Sequence, residues 1–334
     1  MKRLTSLALA LALAACAGPA ATPSPTATVA VASPTPTAAP TAAAPTATAA
    51  PTATPTLIPL PNTAQLSAPT GTVIWALVAA TRLFRSTDQG DTWQEQKEPV
   101  KTTYALVSFI DDHEGWLATL GSPGAACQTQ SIALSHTADA GATWSPLTLT
   151  AIPPAQCKNT VMFSDATHGF VTASDPNSAP VVYRTADGGK TWTASAPLPA
   201  AGGSAAGLTP VSLRAFGTTL LADVNGQNGH NAYRSTDGGA TWTFMTTAPS
   251  QQDVIAFVTA TRWLQVSAPG NSKETTDGGA TWHAFTTDYS QAAPIAPAIS
   301  FGDAQVGYAT VRGAIQRTVD GGAQWTQIRT PGTF

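Results

Sequence analysis

A nine-residue motif that recurs six times constrains the fold of this chain more than any other feature. Every copy has an aspartate followed five residues later by a tryptophan, with glycine between them. The copies are RSTDQGDTW at 85–93, HTADAGATW at 136–144, RTADGGKTW at 184–192, RSTDGGATW at 234–242, ETTDGGATW at 274–282 and RTVDGGAQW at 317–325. Successive aspartates are 51, 48, 50, 40 and 43 residues apart. Periods in the forties with strand-rich content are typical of four-stranded propeller blades.

A second repeated element precedes most copies of the motif. It consists of an apolar segment, a polar turn and a bulky residue, as in VSFIDDHEGW at 107–116, VMFSDATHGF at 161–170 and ISFGDAQVGY at 299–308. The two aromatic residues lie seven apart in each, and Leu213 and Leu220 keep this interval in a weaker copy. Short apolar runs joined by Asp/Gly-containing turns predict a β-hairpin. We therefore predict strands A and B here, then strand C, the motif as the C–D turn, and strand D.

The motif itself is best explained as a structural device repeated once per blade. Its glycines supply positive-φ positions in a tight turn, and its buried aspartate accepts backbone N–H groups. The tryptophan is expected to pack into the seam beside the turn. Catalysis at these positions would need six equivalent active sites, which the repeat does not favour. The structural residues are Asp88, Trp93, Asp139, Trp144, Asp187, Trp192, Asp237, Trp242, Asp277, Trp282, Asp320 and Trp325.

The pattern S/T-x-D-x-G-x-T-W resembles the Asp-box, or BNR repeat, of sialidases, sortilin-type receptors and photosystem II assembly factors. Paired with the preceding F-x-D-x-x-x-G-W pattern, it most resembles the photosystem II assembly factors, over essentially all of 63–334. The resemblance implies an all-β propeller with six four-stranded blades. A seventh blade without the motif remains an alternative, with 199–216 as the region that would hold its extra strands. The resemblance also implies a binding role. Because the arginines outside the boxes are dispersed, we do not carry over the photosystem as partner.

The N-terminal segment carries export and anchoring signals. Lys2 and Arg3 precede an apolar stretch that is too short for an ordinary transmembrane helix, which is typical of a signal peptide over residues 1–15. Leu13-Ala14-Ala15-Cys16 resembles the bacterial lipobox, which implies a lipidated Cys16; an ordinary secretory signal is the alternative. Residues 16–62 then form a linker of almost pure Ala, Pro and Thr. Frequent proline predicts a disordered, semi-rigid tether. The expected location is the extracytoplasmic face of a membrane, at the cell surface or in a periplasm.

Charge and cysteine content narrow the possible partners. Without Lys2 and Arg3 the chain has 14 basic and 19 acidic residues, a net charge of about −5, and no basic stripe. This composition argues against a nucleic-acid partner. With Cys16 assigned to lipid, an even pair of cysteines remains in an exported domain, which predicts a disulfide between Cys127 and Cys157. Two unrelated thiols are the alternative.

Catalytic patterns are weak. Sialidases resemble one another in an arginine triad, an acid/base aspartate and a Tyr–Glu nucleophile pair. The four glutamates here are Glu95, Glu98, Glu114 and Glu274, and the propeller topology places none of them at the mouth opposite the Asp boxes. The five histidines form no metal-ligand spacing. We therefore predict no catalytic residue, no metal and no cofactor. A sialidase-like glycoside hydrolase is kept as the enzymatic alternative.

The remaining candidate surface is the face formed by the B–C and D–A connections. Its most polar segment is NGQNGHN at 225–231. The candidate ligand-binding residues on this face are Asn225, Asn228, His230, Asn231, Arg82 and Arg312. The alternative is a merely solvated hairpin loop. The leading hypothesis is a monomeric, surface-tethered, non-enzymatic binding or assembly module for an extracytoplasmic protein or glycan. A purely structural envelope protein is the third possibility.

Overall fold

Six four-stranded antiparallel sheets make up the protein, each with its strands hydrogen-bonded in chain order. The computed structural model describes residues 64–97, 102, 104–267, 270–289, 298–311, 314–329 and 331. The predicted signal peptide, Cys16, the linker, Glu98 and Arg312 lie outside these residues. The sheets are blades of a β-propeller, as the repeat predicts. Within each blade we letter the strands A to D, from the central cavity outward.

The first three blades contain the strands numbered 1 to 12. Blade 1 consists of β1 (Ala64–Ser67), β2 (Ile74–Val78), β3 (Arg82–Ser86) and β4 (Gln94–Gln96). Blade 2 consists of β5 (Ala105–Phe109), β6 (Gly115–Leu120), β7 (Ile132–Thr137) and β8 (Ser145–Leu147), with a short 3-10 helix (Ala125–Cys127) in its B–C connection. Blade 3 consists of β9 (Cys157–Phe163), β10 (Gly169–Asp175), β11 (Ser178–Thr185) and β12 (Thr193–Ala194).

The last three blades contain the remaining strands. Blade 4 consists of β13 (Thr209–Phe216), β14 (Thr219–Gly226), β15 (Gly229–Ser235) and β16 (Thr243–Thr247). Blade 5 consists of β17 (Ala256–Phe257), β18 (Trp263–Gln265), β19 (Lys273–Thr275) and β20 (His283–Ala284). Blade 6 consists of β21 (Ile299–Phe301), β22 (Gly307–Val311), β23 (Ala314–Thr318) and β24 (Thr326–Ile328). Residues 199–216 supply only strand A of blade 4, so the described chain has six blades and not seven.

Strand register confirms the predicted A–B hairpins and corrects one of them. In blade 2, Phe109 pairs with Gly115, which pairs with the box residue Thr137. In blade 4 the corresponding chain of partners is Ala215, Leu220 and Ser235. Leu213 and Leu220 are therefore not the counterparts of Phe109 and Trp116. The blade 4 hairpin continues to a tight turn, with Phe216 opposite Thr219, which shifts the apolar interval relative to the turn.

Stacked aromatic rings join neighbouring blades. Trp75 on strand B of blade 1 lies parallel to Phe109 on strand A of blade 2, with ring centroids 3.6 Å apart. Trp116 of blade 2 stacks in the same way on Phe163 of blade 3, at 3.8 Å. Each Phe also meets the box tryptophan of its own blade edge-on, Trp144 or Trp192. The two aromatics of one hairpin thus pack in opposite directions around the ring, one toward each neighbouring blade.

The ring closes between blade 6 and blade 1 through side chains. Among the described strands none is shared between two sheets. Instead, the Trp93 indole N–H of blade 1 donates to the carbonyl of Arg329 at 2.8 Å. Arg317 of blade 6 donates to the carbonyl of Gln89 at 2.9 Å and to the carboxylate of Asp91 at 2.8 Å. Tyr308 and other apolar residues of blade 6 share a buried cluster with blade 1.

Candidate functional site

Each Asp box is a closed hydrogen-bonded turn between strands C and D. In blade 4, one carboxylate oxygen of Asp237 accepts the Ser235 hydroxyl at 2.8 Å and the N–H groups of Ala240 and Thr241 at 3.0 Å. The other oxygen accepts the Thr241 hydroxyl at 2.6 Å. The Ser235 hydroxyl oxygen in turn accepts the N–H of Gly239 at 2.9 Å, where φ is 79°. Positive φ at this position explains the glycine.

The box aspartates lie at the surface, contrary to the prediction that they are buried. Asp237 and Asp277 are exposed, whereas the hydroxyl-bearing Ser235 and Thr275 are buried. Hydrogen bonds from the Thr281 side chain and backbone hold the pKa of Asp277 down at about 2. The same contacts from Thr241 keep the pKa of Asp237 well below its usual range. A solvated carboxylate held this way by its own turn is an anchor for that turn.

The sixth box lacks one of these bonds. Gln324 occupies the position at which the other five copies have threonine, which is Thr92 in blade 1. Asp320 accepts the Gln324 N–H at 2.9 Å and the Thr318 hydroxyl at 2.8 Å. No hydroxyl of residue 324 is available to bind the second carboxylate oxygen, as Thr92 does for Asp88 at 2.6 Å.

A central cavity of about 370 Å³ runs between the inner strands. Residues of strand A, or of the segment just before it, line this cavity in all six blades. Its wall is formed by apolar and neutral polar side chains, and Arg214 on β13 is the only charged residue among those described there. The cavity therefore lies inside the ring, whereas the B–C turns and the starts of the A strands form the rim at one end.

A disulfide crosslinks this rim, as predicted. Cys127 in the B–C connection of blade 2 is bonded to Cys157, the first residue of β9 in blade 3. The adjacent Lys158 is buried, and its ammonium donates to the carbonyls of Gln130, Pro153, Ala155 and Gln156 at 2.6–3.2 Å. Burial lowers the pKa of Lys158 to about 8, while the four carbonyls supply acceptors for its charge. The blade 2 and blade 3 parts of the rim are thus tied together by a covalent bond and a carbonyl-bound ammonium.

The NGQNGHN segment is a tight B–C turn, and only part of it faces solvent. Asn225 and Asn228 are exposed, as a binding role requires. His230 is 5% exposed and lies 2.9 Å from the carboxylate of the buried Asp223. Burial raises the pKa of Asp223, against the hydrogen bond from His230. The prediction that His230 offers its ring to a ligand is therefore wrong for this conformation, because the ring is enclosed between strands.

Of the three remaining candidates, two have structural partners and one lies outside the described residues. Asn231 is 1% exposed, donates to the carbonyls of Val224 and Gly229, and accepts the Thr247 hydroxyl at 2.8 Å. Arg82 forms a bidentate ion pair with Glu95 on strand D, with both N···O distances 2.7 Å. Sequence reasoning missed these partners because the register of strands C and D decides them. Arg312 lies outside the described residues.

The described glutamates contact basic side chains away from the cavity. Glu95 binds Arg82, Glu114 lies 3.0 Å from the ring of His136, and Glu274 binds Arg262 at 2.6 Å. None of them lines the cavity. Among the described residues, one group of three possible metal ligands occurs, Asp111, Asp112 and His113, which are partly exposed in the blade 2 A–B turn. Asp111 there accepts the N–H groups of His113 and Glu114, which is a turn-forming role.

A protein-family model and one curated relative each match part of this chain. The family model described as photosynthesis system II assembly factor YCF48 matches residues 74–209. Photosystem II assembly lipoprotein Ycf48 of Synechococcus sp. (strain CC9902) is 32% identical over 124 residues, which make up 36% of this chain and 32% of that protein. The chain thus matches about a third of the length of this relative.

Two solved structures are similar to this chain to different degrees. The structure of YCF48 bound to D1 peptide aligns with a TM-score of 0.49 and 18% identity over 82% of this chain and 85% of that one. SapL1 lectin in complex with alpha methyl fucoside aligns with a TM-score of 0.54 and 13% identity over 80% of this chain and 97% of that one. At such identities the likeness concerns architecture, and this architecture hosts unrelated activities. No helix in the described part of the chain is long and apolar enough to cross a membrane.

Proposed function

We propose that this Asp-box propeller, which is Ycf48-like, is a non-enzymatic assembly module that binds an extracytoplasmic protein. The observation that carries the proposal is the match of the assembly-factor family model to residues 74–209. These residues run from strand B of blade 1 to the start of strand A of blade 4, so they include the disulfide-linked rim. The residues that the family model matches, in blades 1 to 3, therefore include the disulfide-linked part of the rim.

The rim suits a recognition role in physical terms. A crosslink between two neighbouring connections reduces the loop ordering that a partner would otherwise have to impose. Exposed polar side chains such as Asn228 on the adjacent blade 4 turn provide donors and acceptors at the same end. The described glutamates contact basic side chains away from the cavity. This arrangement favours a binding role over retaining glycoside hydrolysis, which needs two carboxyl groups beside the substrate.

Site-specific crosslinking tests the proposal. A photo-crosslinking amino acid replaces Asn228 on the rim, or Thr236, which is exposed within the blade 4 Asp box at the other end. Both variants are expressed as the full chain in the native envelope and irradiated. We expect a defined protein adduct from position 228 and none from position 236. Adducts from 236 alone, or turnover of a panel of chromogenic glycosides and sialosides by the purified protein, would contradict the proposal.

We propose further that Cys16 carries the lipid anchor of this module. The supporting observations are the lipobox-like Leu13-Ala14-Ala15-Cys16 and the lipoprotein name of the Synechococcus relative. Two or three acyl chains give stable membrane attachment. Replacement of Cys16 by serine is expected to move the protein from the membrane fraction to the soluble extracytoplasmic fraction. A Ser24→Ala variant in the linker is the control. Unchanged membrane attachment of the Cys16→Ser protein would contradict this assignment.

A further inference from the structure

The blade 4 B–C turn contains two asparagine–glycine pairs, Asn225-Gly226 and Asn228-Gly229. In such a pair the backbone nitrogen of the glycine can attack the side-chain amide carbon of the asparagine, because glycine has no Cβ to hinder the approach. The other described asparagines are followed by residues larger than glycine; they are Asn159, Asn177, Asn231 and Asn271. The turn therefore holds the two described asparagines whose sequence most favours this reaction.

The two pairs differ in how the backbone is held at the asparagine. Asn225 belongs to β14 and is paired with Thr209 on one side and with His230 on the other. Ring closure requires the backbone at the asparagine to rotate, so pairing on both sides opposes it at Asn225. Asn228 lies outside the ladder, in the two-residue turn between β14 and β15. The register of blade 4 thus holds Asn225 in place and leaves Asn228 unpaired.

The side-chain amide of Asn228 is also accessible. Asn228 is exposed, and no described residue forms a hydrogen bond with its side chain. By contrast, the Asn231 amide donates to the carbonyls of Val224 and Gly229 inside the sheet. Water can therefore reach the Asn228 amide carbon and the ring that forms from it.

We propose that Asn228 is a site of spontaneous deamidation, which converts this neutral residue of the rim into a carboxylate. The Gly229 nitrogen forms a bond to the side-chain amide carbon, the bond from that carbon to the amide nitrogen breaks, and ammonia leaves with the proton of the attacking nitrogen. Water then opens the cyclic imide. Cleavage at the side-chain carbonyl gives aspartate, and cleavage at the main-chain carbonyl gives isoaspartate, whose backbone contains an additional methylene group.

The reaction requires only water, so this inference goes beyond the proposed function and does not depend on it. An asparagine amide donates and accepts hydrogen bonds, whereas a carboxylate only accepts them and carries a negative charge. The blade 4 part of the rim thus changes the groups that it offers to a partner as the protein ages.

The isoaspartate product has a structural consequence as well. Gly229 has a φ of 96° and packs so closely on the D–A connection to blade 5 that an added Cβ would lie 2.5 Å from the Cα of Gln251. A longer backbone at 228–229 does not fit this contact without displacement of the connection. Isoaspartate should therefore loosen the contact between the turn and the connection, whereas aspartate should leave it in place.

Peptide mapping of the purified full chain by mass spectrometry tests the proposal. The protein is incubated at neutral and at mildly alkaline pH, and electron-transfer fragmentation distinguishes isoaspartate from aspartate. We expect Asn228 to deamidate at least about tenfold faster than Asn225, because Asn225 must first leave its two neighbouring strands. Alkaline pH should accelerate the reaction, since the attacking nitrogen must lose its proton. In the chain unfolded by guanidinium chloride the two sites should react at similar rates.

Matched variants identify the source of the product. Asn228→Gln should abolish most of the isoaspartate detected by a protein-isoaspartate methyltransferase, and Asn225→Gln should leave it unchanged. Equal rates at the two sites in the folded protein, or a folded Asn228 that stays intact while the unfolded chain is converted, overturns the proposal. Hydrogen exchange at 248–255 should be faster in the aged wild-type protein than in Asn228→Asp; equal exchange in the presence of isoaspartate overturns the expected loosening.

Discussion

The Asp boxes combine a buried hydroxyl with an exposed carboxylate, and both belong to one hydrogen-bonded ring. In blade 4, Ser235 binds the Gly239 N–H from inside, while Asp237 binds Ala240 and Thr241 from outside. The buried hydroxyl fixes the turn to the sheet, since Ser235 pairs with Leu220 on strand B. The carboxylate then fixes the far side of the turn.

Replacement of Asp237 by alanine is expected to lower the free energy of unfolding by about 1–2 kcal/mol. The side chain accepts four hydrogen bonds, but water can replace part of them at an exposed site. Gln324→Thr is the complementary variant, because it supplies the hydroxyl that Asp320 lacks, and it should raise stability by about 0.5–1 kcal/mol. Urea denaturation of both proteins checks this. An unchanged midpoint for Asp237→Ala would contradict the anchoring role.

Acid stability should depend on the same carboxylates. The pKa of Asp277 is lowered from 3.8 to about 2, mainly by the Thr281 hydroxyl and N–H. Since the folded-state pKa is below the unfolded one, its stabilisation is complete above pH 3.8 and is lost as the pH falls through about 2. We expect the wild-type urea midpoint to drop between about pH 4 and pH 2. Asp277→Asn should drop less; an equal drop in both proteins would argue against this box as a source.

At the scale of elements, aromatic stacks join blade 1 to blade 2 and blade 2 to blade 3. Phe163 is 4% exposed and lies between Trp116, stacked at 3.8 Å, and the edge of Trp192 at 6.1 Å. Glycine at the start of strand B leaves room for this ring, because a Cβ on Gly169 would overlap it. In blade 4, where Ala215 takes the corresponding place, the seam relies on other apolar residues.

Phe163→Leu should therefore destabilise the propeller by about 1–3 kcal/mol through lost stacking and a residual cavity. Phe244→Leu on the outer strand β16 is the matched control, because Phe244 is half-buried and makes one edge-on contact with Tyr233. Thermal and urea unfolding measure the difference. Equal losses for the two variants would mean that the stack between blades adds nothing beyond ordinary burial.

Local patterns explain which elements sequence reasoning could predict. The box residues and the Phe163–Gly169 hairpin are encoded within a few residues, so strand order, the C–D turn and six blades follow from them. The Cys127–Cys157 bond was predictable from the expected export and an even cysteine count. The burial of His230 and the pairing of Arg82 with Glu95 depend on partners from other strands. The position of Arg214 in the cavity needed the strand A register, which the bulged blade 4 hairpin obscures.

At the scale of the whole molecule, the ring closes at one seam, between blade 6 and blade 1. The blade 1 and blade 6 backbones approach closely where Gly302 meets the carbonyl of Thr70, and a Cβ at Gly302 would overlap that oxygen. Trp93, Arg317 and their partners then hold the seam without a shared strand. This seam is where the first and last described blades meet. Because adjacent blades stabilise one another, loosening it should destabilise the whole ring.

Gly302→Ala should cost more stability than any surface change, about 2–4 kcal/mol, because the A–B turns of blades 6 and 1 must separate to admit the methyl group. Gly203→Ala is the control, since nothing lies within 4 Å of a Cβ at that position. Its effect should remain within about 0.5 kcal/mol. Limited proteolysis would add a second measurement, with faster cleavage expected in Gly302→Ala. Similar unfolding curves for the two variants would show that the seam yields without penalty.

The Cys127–Cys157 bond also makes the stiffness of the rim depend on the compartment in which the protein lies. Disulfides persist in oxidising compartments, whereas cytosolic reductants keep thiols reduced. A newly made copy still inside the cell would carry the ring of blades with two free thiols and a slack rim. Under the export proposed above, oxidation after translocation forms this bond, so the rim of blades 2 and 3 is crosslinked only outside the cytosol.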